Sequence, residues 1–217
     1  MILAVRRAPV TFTLLMLIAI VFAVESVTYA TTYATDDYYK LWRLGAIVPF
    51  GDLHGQYWRL LAGMFLHGGV LHWLLNSWSL FQLGWLYEVL FGSKRFALVY
   101  FVSGVIASFT SSIHGAGLAV GASGAIFGIA GAFIFSMLRS PRYRDEPWAH
   151  GLVAQLIIVV AANLYIASLF KVIDNAAHIG GLVTGLLLGF IPHRVPPPPP
   201  REQIVDVRSQ PYDDGGF

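Results

Sequence analysis

The sequence predicts an all-α integral membrane protein, a bundle of six transmembrane helices with a long interfacial first loop. Three observations carry that prediction. Hydrophobic types fill 56% of the 217 positions and charged types only 12%, with a strongly positive mean hydropathy, a balance outside that of soluble domains. Six apolar runs recur at about the 20-residue length that a hydrocarbon core of about 30 Å requires of a helix. Basic residues gather at alternate ends of those runs.

Residues 1–9 form a short N-terminal segment, expected to be cytoplasmic. Span 1, at 10–29, contains "VTFTLLMLIAIVFAVESV" and no small-residue cleavage site, and five more apolar runs follow it. It is expected to be a retained helix and not a removed signal peptide. Residues 30–69 are too many for a simple connection and are rich in Trp, Tyr, Phe and Leu. Amphipathic aromatic segments favour the membrane interface, so short helices lying on the outer leaflet are expected there. Spans 2 to 6 are read at 70–90, 95–113, 121–139, 149–170 and 176–192, closing a membrane domain over 10–192. The remainder, 193–217, opens with a proline run that forbids helix and has too little apolar content for a core; an extended, disordered cytoplasmic tail is expected.

Charge sets the orientation. Arg6 and Arg7, Lys94 and Arg95, Arg139, Arg142 and Arg144, and Arg194 all fall on one side of the six runs, the side that the positive-inside bias makes cytoplasmic. Both termini are therefore expected inside. A formal net charge of +2 without a concentrated basic face argues against a nucleic-acid partner. The absence of cysteine removes disulfides, thiolate metal sites and a thiol nucleophile.

Polar residues within spans are costly in hydrocarbon and are functional candidates by default. They are His72, Asn76, Ser123, Asn163, Asn175 and His178. Asn76 lies 15 residues before Phe91, Ser123 lies 15 before Leu138, and His178 lies 14 before Pro192. At a helical rise of 1.5 Å, each stands about 21 to 23 Å above the cytoplasmic edge. Three helices thus offer polar groups at one level.

His72 and Asn76, four apart in "HWLLN", project from one face. They fit either an interhelical hydrogen-bonding pair or a chemical site. "GASGAIFG", residues 121–128, likewise fits two readings: a stripe of small residues for helix packing, or a turn presenting a nucleophile. Gly181, Gly185 and Gly189 make a small-xxx-small face on span 6, and Gly124 with Gly128 a similar one on span 4. If those faces meet, Ser123 and His178 stand at matching ends of a tight pair, the nucleophile and base arrangement that activates a serine. The glycine-rich start of span 4, with Gly121 before the serine, would aim backbone N–H groups at a developing oxyanion. The Ser123 N–H, His72 and Asn76 are the candidate donors. His54, His67 and His114 are read as solvated or structural, or as aids to water access. No cofactor is expected, and metal catalysis is disfavoured: H-E-x-x-H is absent, no partnered acid stands at the active level, and His67 and His72 are five apart. Glu88 is expected to fix a helix end or to pair with Lys94 or Arg95.

From "QYWRLLAGMFLHGGVLHWLLN" through "GASG" to "AHIGGLVTG", the chain resembles the rhomboid family of intramembrane serine proteases. That resemblance implies Ser123 of G-x-S-G as nucleophile and His178 of A-H-x-x-G-x-x-x-G as general base, a dyad without an orienting carboxylate. It implies His72 and Asn76, the H-x-x-x-N pair, as oxyanion-hole residues, and Trp58 with Arg59 as a structural pair. Phe127 stands where some members have a Tyr packing on the histidine; it can stack on His178 but brings no hydroxyl. Inactive relatives lack the serine or histidine, and both are present here.

The expected function is an intramembrane serine endopeptidase cutting transmembrane segments near the extracytoplasmic face of a bacterial plasma membrane. Its partners would be transmembrane substrates and the lipid bilayer. Helical substrates hide their carbonyls in internal hydrogen bonds, so helix-weakening residues near the cut, and a small residue just before it, are expected. Access would be lateral, with span 5 and the outer loop as candidate gate. The alternative is a non-catalytic protein that binds or chaperones membrane clients in the same polar pocket; a small-solute transporter fits less well, since no inverted repeat is visible.

Overall fold

The computed structural model describes residues 7–31, 37–114, 117–170 and 173–192; the expected tail at 193–217 and residues 1–6 lie outside the described residues. The helices are α1 (Pro9–Thr31), α2 (Asp37–Leu44), α3 (Arg59–Ala62), α4 (Val70–Ser79), α5 (Trp85–Phe91), α6 (Ser93–His114), α7 (Ser123–Arg139), α8 (Pro147–Leu169) and α9 (Asn175–Leu188). A π-helical turn at Leu80–Gly84 joins α4 to α5 in one rod. Each of the six predicted segments is helical over most of its length, the last only to Leu188, and the fold is an all-helical membrane bundle. By length and apolar content α1, α6 and α8 suffice to cross a membrane. With 17 and 14 residues, α7 and α9 are shorter, about 25 and 21 Å.

Short helices are completed by loops, and loop backbone at membrane depth must find partners within the protein. The segment before α7 does so against the first loop: Ile47 and Ala119 exchange backbone bonds of 2.9 and 3.0 Å, and the Gly121 N–H donates to the Gly63 carbonyl at 2.9 Å. The first loop is itself pinned. The Arg59 guanidinium donates to the carbonyls of Trp42 at 2.6 Å and Ala46 at 3.2 Å and to the Gln56 side chain at 2.8 Å, between the rings of Trp42 and Trp58. Ala46, Ile47, Val48 and Leu53 are buried around it. Tyr39 and Trp42 stay exposed on α2, and the described part of this loop is anchored, unlike a free flap.

At the centre of the bundle α7 is buried on nearly every face, packing chiefly on α9 and α6. The α7–α9 seam is backbone against backbone. A Cβ at Gly181 would overlap the Gly124 carbonyl, and one at Gly185 the Gly128 carbonyl, so only glycine allows this approach. Further along the seam Gly189 rests on the Phe135 side chain of α7, and Gly131 of α7 packs against the Leu182 carbonyl. On the opposite side Gly124 and Gly128 meet Ala107 and Ser103 of α6.

Polar clamps close the bundle near the end remote from the seam's serine. Arg95 of α6 donates to Ser136 Oγ and to the Gly189 carbonyl, each at 3.0 Å, tying α6 to α7 and to the C-terminal end of α9, where a cation suits the helix dipole. Glu88 does fix a helix end, but that of α1: its carboxylate accepts the Val10 and Thr11 N–H groups at 2.9 and 2.7 Å and the Thr11 hydroxyl at 2.7 Å. Orphan N–H groups of a first turn need such an acceptor, and two of them outcompete a single basic side chain. In contrast to α7, α8 buries only Ala149, Val153 and Ala167.

Candidate active site

Ser123 is the first residue of α7, and His178 lies in the first turn of α9. Because the glycine seam brings the two helices together at their N-terminal ends, Ser123 Oγ stands 2.9 Å from His178 Nε2, the distance at which the hydroxyl donates to the imidazole. His178 is 7% exposed. One helical turn past the serine, Phe127 stacks on it with centroids 4.2 Å apart and an interplanar angle of 7°. That flat contact fixes the ring plane without any hydrogen bond, and His178 Nδ1 is buried with no partner among the described residues.

His72 and Asn76 come to the same place from α4. Asn76 Nδ2 donates to the His72 carbonyl at 3.0 Å. A Cβ built on Gly121 would lie 2.8 Å from His72 Cε1 and Nε2 and 3.8 Å from Asn76 Nδ2. Gly121 is thus required twice: its φ is +123°, which side-chain-bearing residues rarely adopt, and a side chain would displace the His72 ring. Ser123 sits two residues on, where the first N–H groups of α7 lack intrahelical acceptors. The Ser123 hydroxyl and the His178 imidazole thus meet, with His72 and Asn76 packed beside Gly121, two residues before the serine.

Asp174 also belongs here, although the sequence reading left the active level without a partnered acid. It is the N-cap of α9: Oδ1 accepts the Ala177 N–H at 3.0 Å, Oδ2 accepts the Ser111 hydroxyl of α6, and its carbonyl accepts the His178 N–H at 3.2 Å. An Asp directly before an apolar helical run is an N-cap signal, so this residue was legible. A cleft lined by Met64, Gly104, Ala107, Gly121, Ser123 and Asp174 opens beside the serine.

The other candidates disperse. Asn163 turns outward and donates to its own helix at Val159; Asn175 reaches the Leu164 carbonyl at 3.3 Å, joining α9 to α8. His54 is exposed, with φ +44°, and His114 is an exposed end of α6 set against the Thr110 carbonyl. His67 differs from both, being wholly buried. Its ring meets His72 edge to face at 5.2 Å, a contact hidden in the sequence because His67 precedes α4 and shares no helical face with His72. Burial, with His72 adding to it and the Phe65 carbonyl opposing, pushes the His67 imidazole down to about 4 and keeps it neutral. No group of three metal-ligating side chains is found among the described residues.

Comparison with known proteins gives a consistent picture. The Rhomboid domain family matches residues 54–195. RHOMBOID-like protein 1 of Arabidopsis thaliana is 42% identical over 137 residues, covering 63% of this chain and 34% of that protein. RHOMBOID-like protein 5 of the same plant is 36% identical over 153 residues, 69% of this chain and 48% of its own length. Rhomboid protease GluP of Bacillus subtilis is 34% identical over 131 residues, 60% of this chain and 25% of its own. The chain thus matches from a quarter to about half the length of these curated relatives.

Proposed function

The chain belongs to the rhomboid family of multi-pass membrane proteins, which includes intramembrane proteases, and on that premise we propose that it is a serine endopeptidase cleaving transmembrane segments of other proteins near the extracytoplasmic face. The observation that carries this reading is the 2.9 Å contact between Ser123 Oγ and His178 Nε2 at the start of two short helices. Ser123 attacks the scissile carbonyl carbon while His178 takes the hydroxyl proton. The tetrahedral oxyanion is met by the Ser123 N–H, His72 and Asn76. Collapse breaks the C–N bond as His178 passes the proton to the leaving amine. Water then attacks the acyl ester, His178 takes its proton, and the Ser123 hydroxyl is restored with release of the carboxyl product.

The cleft of small side chains at Gly104, Ala107 and Gly121 supports a small residue before the cut. The sparse packing of α8 supports lateral access past that helix, and the pinned first loop favours α8 over the loop as the moving part. The basic residues on one side of the spans support cytoplasmic termini, in a plasma membrane, with 10–192 as the membrane domain.

Purified protein in detergent, treated with a fluorescent fluorophosphonate, tests the reading. Labelling is expected for the wild type and expected to vanish in Ser123→Ala and His178→Ala, each still folded. A well-folded wild type that neither labels nor cuts a transmembrane substrate would overturn it in favour of client binding without catalysis.

A further inference from the structure

We propose that Glu25 and His67 are positioning residues that hold the His72 ring in the oxyanion hole, an assignment that rests on the protease reading above. Glu25 belongs to α1, ahead of the residues matched by the family. It is completely buried, and its carboxylate accepts the His67 N–H through both oxygens, at 3.0 and 3.3 Å, across 42 residues of chain. Among the described residues that amide is its one hydrogen-bond partner, and burying a carboxylate so sparsely paired is costly where an apolar side chain would fill the space. Its use is understandable if the position of that amide matters.

The amide lies where the chain turns into α4. Gly69 precedes that helix at φ +150°, and no side chain caps it at this N-cap. The start of the helix bearing His72 is therefore held by a group from another helix. From the same residue, the His67 ring, set 3.2 Å from the Phe65 carbonyl through Nδ1, rests against the His72 ring at an interplanar angle of 66°. His72 is in contact with His67 and packed beside Gly121. It cannot move toward His67 unless that ring yields, and the His67 backbone cannot yield without breaking the bond to Glu25. An oxyanion donor works only within hydrogen-bond reach of the developing charge, and a displacement of about 1 Å costs about 100-fold in rate.

The test measures the rate constant of fluorophosphonate labelling in Glu25→Ala, Glu25→Gln, His67→Ala and His67→Phe, together with the side-chain NMR signals of isotopically labelled His72 in a Ser123→Ala background. Glu25→Ala and His67→Ala are expected to slow labelling about 10-fold or more and to shift the His72 signals. Glu25→Gln, which still accepts the amide, and His67→Phe, which keeps the ring edge, are expected to return the rate to within about 2-fold. Folded alanine variants that label at the wild-type rate overturn the proposal. If Glu25→Ala does not fold, Glu25→Asp shortens the reach by one methylene, and its labelling at the wild-type rate has the same consequence. If a well-folded wild type neither labels nor cuts a transmembrane substrate while Glu25→Ala still moves the His72 signals, the positioning role stands and the protease reading falls.

Discussion

The seam between α7 and α9 and the flank formed by α8 are built on opposite plans. In the seam, glycines at 124, 128, 181 and 185 let carbonyls meet Cα atoms directly, and both ends are tied to α6, by Asp174 to Ser111 and by Arg95 to Ser136 and Gly189. Along α8, none of the residues from Ile157 to Asn163 is buried, and contact is concentrated near the two ends, at Ala149, Val153 and Ala167. Where two side chains must stay within 3 Å, the chain uses backbone contact that has no rotamers to lose. Where lipid is the neighbour, it uses large apolar side chains such as Ile158 and Tyr165, each 67% exposed. Under the proposed function this division puts the chemistry on the rigid part and substrate passage beside the loosely held one.

The sharpest way to break the comparison is Gly185→Val, which drives a branched side chain into the Gly128 carbonyl. It is expected to cost about 3 kcal/mol or more, seen as lost thermal stability in detergent, and to abolish labelling of Ser123. Unchanged stability would mean that the seam is looser than its geometry. Next, Arg95→Ala removes two charge-assisted bonds and should cost about 2 kcal/mol, with labelling affected less than by Gly185→Val because the clamp lies at the far end. Asp174→Ala loses the cap and the Ser111 bond and should cost about 1 to 2 kcal/mol. Asp174→Asn keeps an acceptor and should recover part of that stability; a double variant with Ser111→Ala should be less than additive. Phe127→Ala frees the His178 ring and should slow labelling about 10-fold with a smaller loss of stability, about 1 kcal/mol. At the bottom of the scale, Tyr165→Ala on α8 should change stability by less than about 0.5 kcal/mol. A large loss there would erase the contrast between the two regions.

Legibility followed the range of each interaction. The glycine faces were readable because their spacing is set by one helix at a time, yet what each glycine meets was not: Gly181 and Gly185 face backbone of α7, while Gly189 faces the Phe135 side chain and Gly131 of α7 adds a further close approach to α9, since the crossing of two rods decides the partners. Asp174 was readable as an N-cap, but the hydroxyl of Ser111 that completes it lies 63 residues away. Glu88 was expected to fix a helix end or to pair with Lys94 or Arg95; it does fix a helix end, but which one was not readable, since the first turn of α1 lies 77 and 78 residues back in the chain.

By itself the sequence determined the membrane class, the helical segments with their alternating charge, and the nearly equal distances of Asn76, Ser123 and His178 from the ends of their runs. Each of these follows from apolar length and helical rise, quantities local to a segment. Only the tertiary structure decided that Ser123 and His178 touch, that the first loop is pinned by Arg59 while α8 is buried mainly near its ends, and that Glu25 bonds the His67 amide while the His67 ring meets that of His72. Those outcomes depend on which surfaces meet when the rods pack, and packing is settled by contacts between residues far apart in the chain.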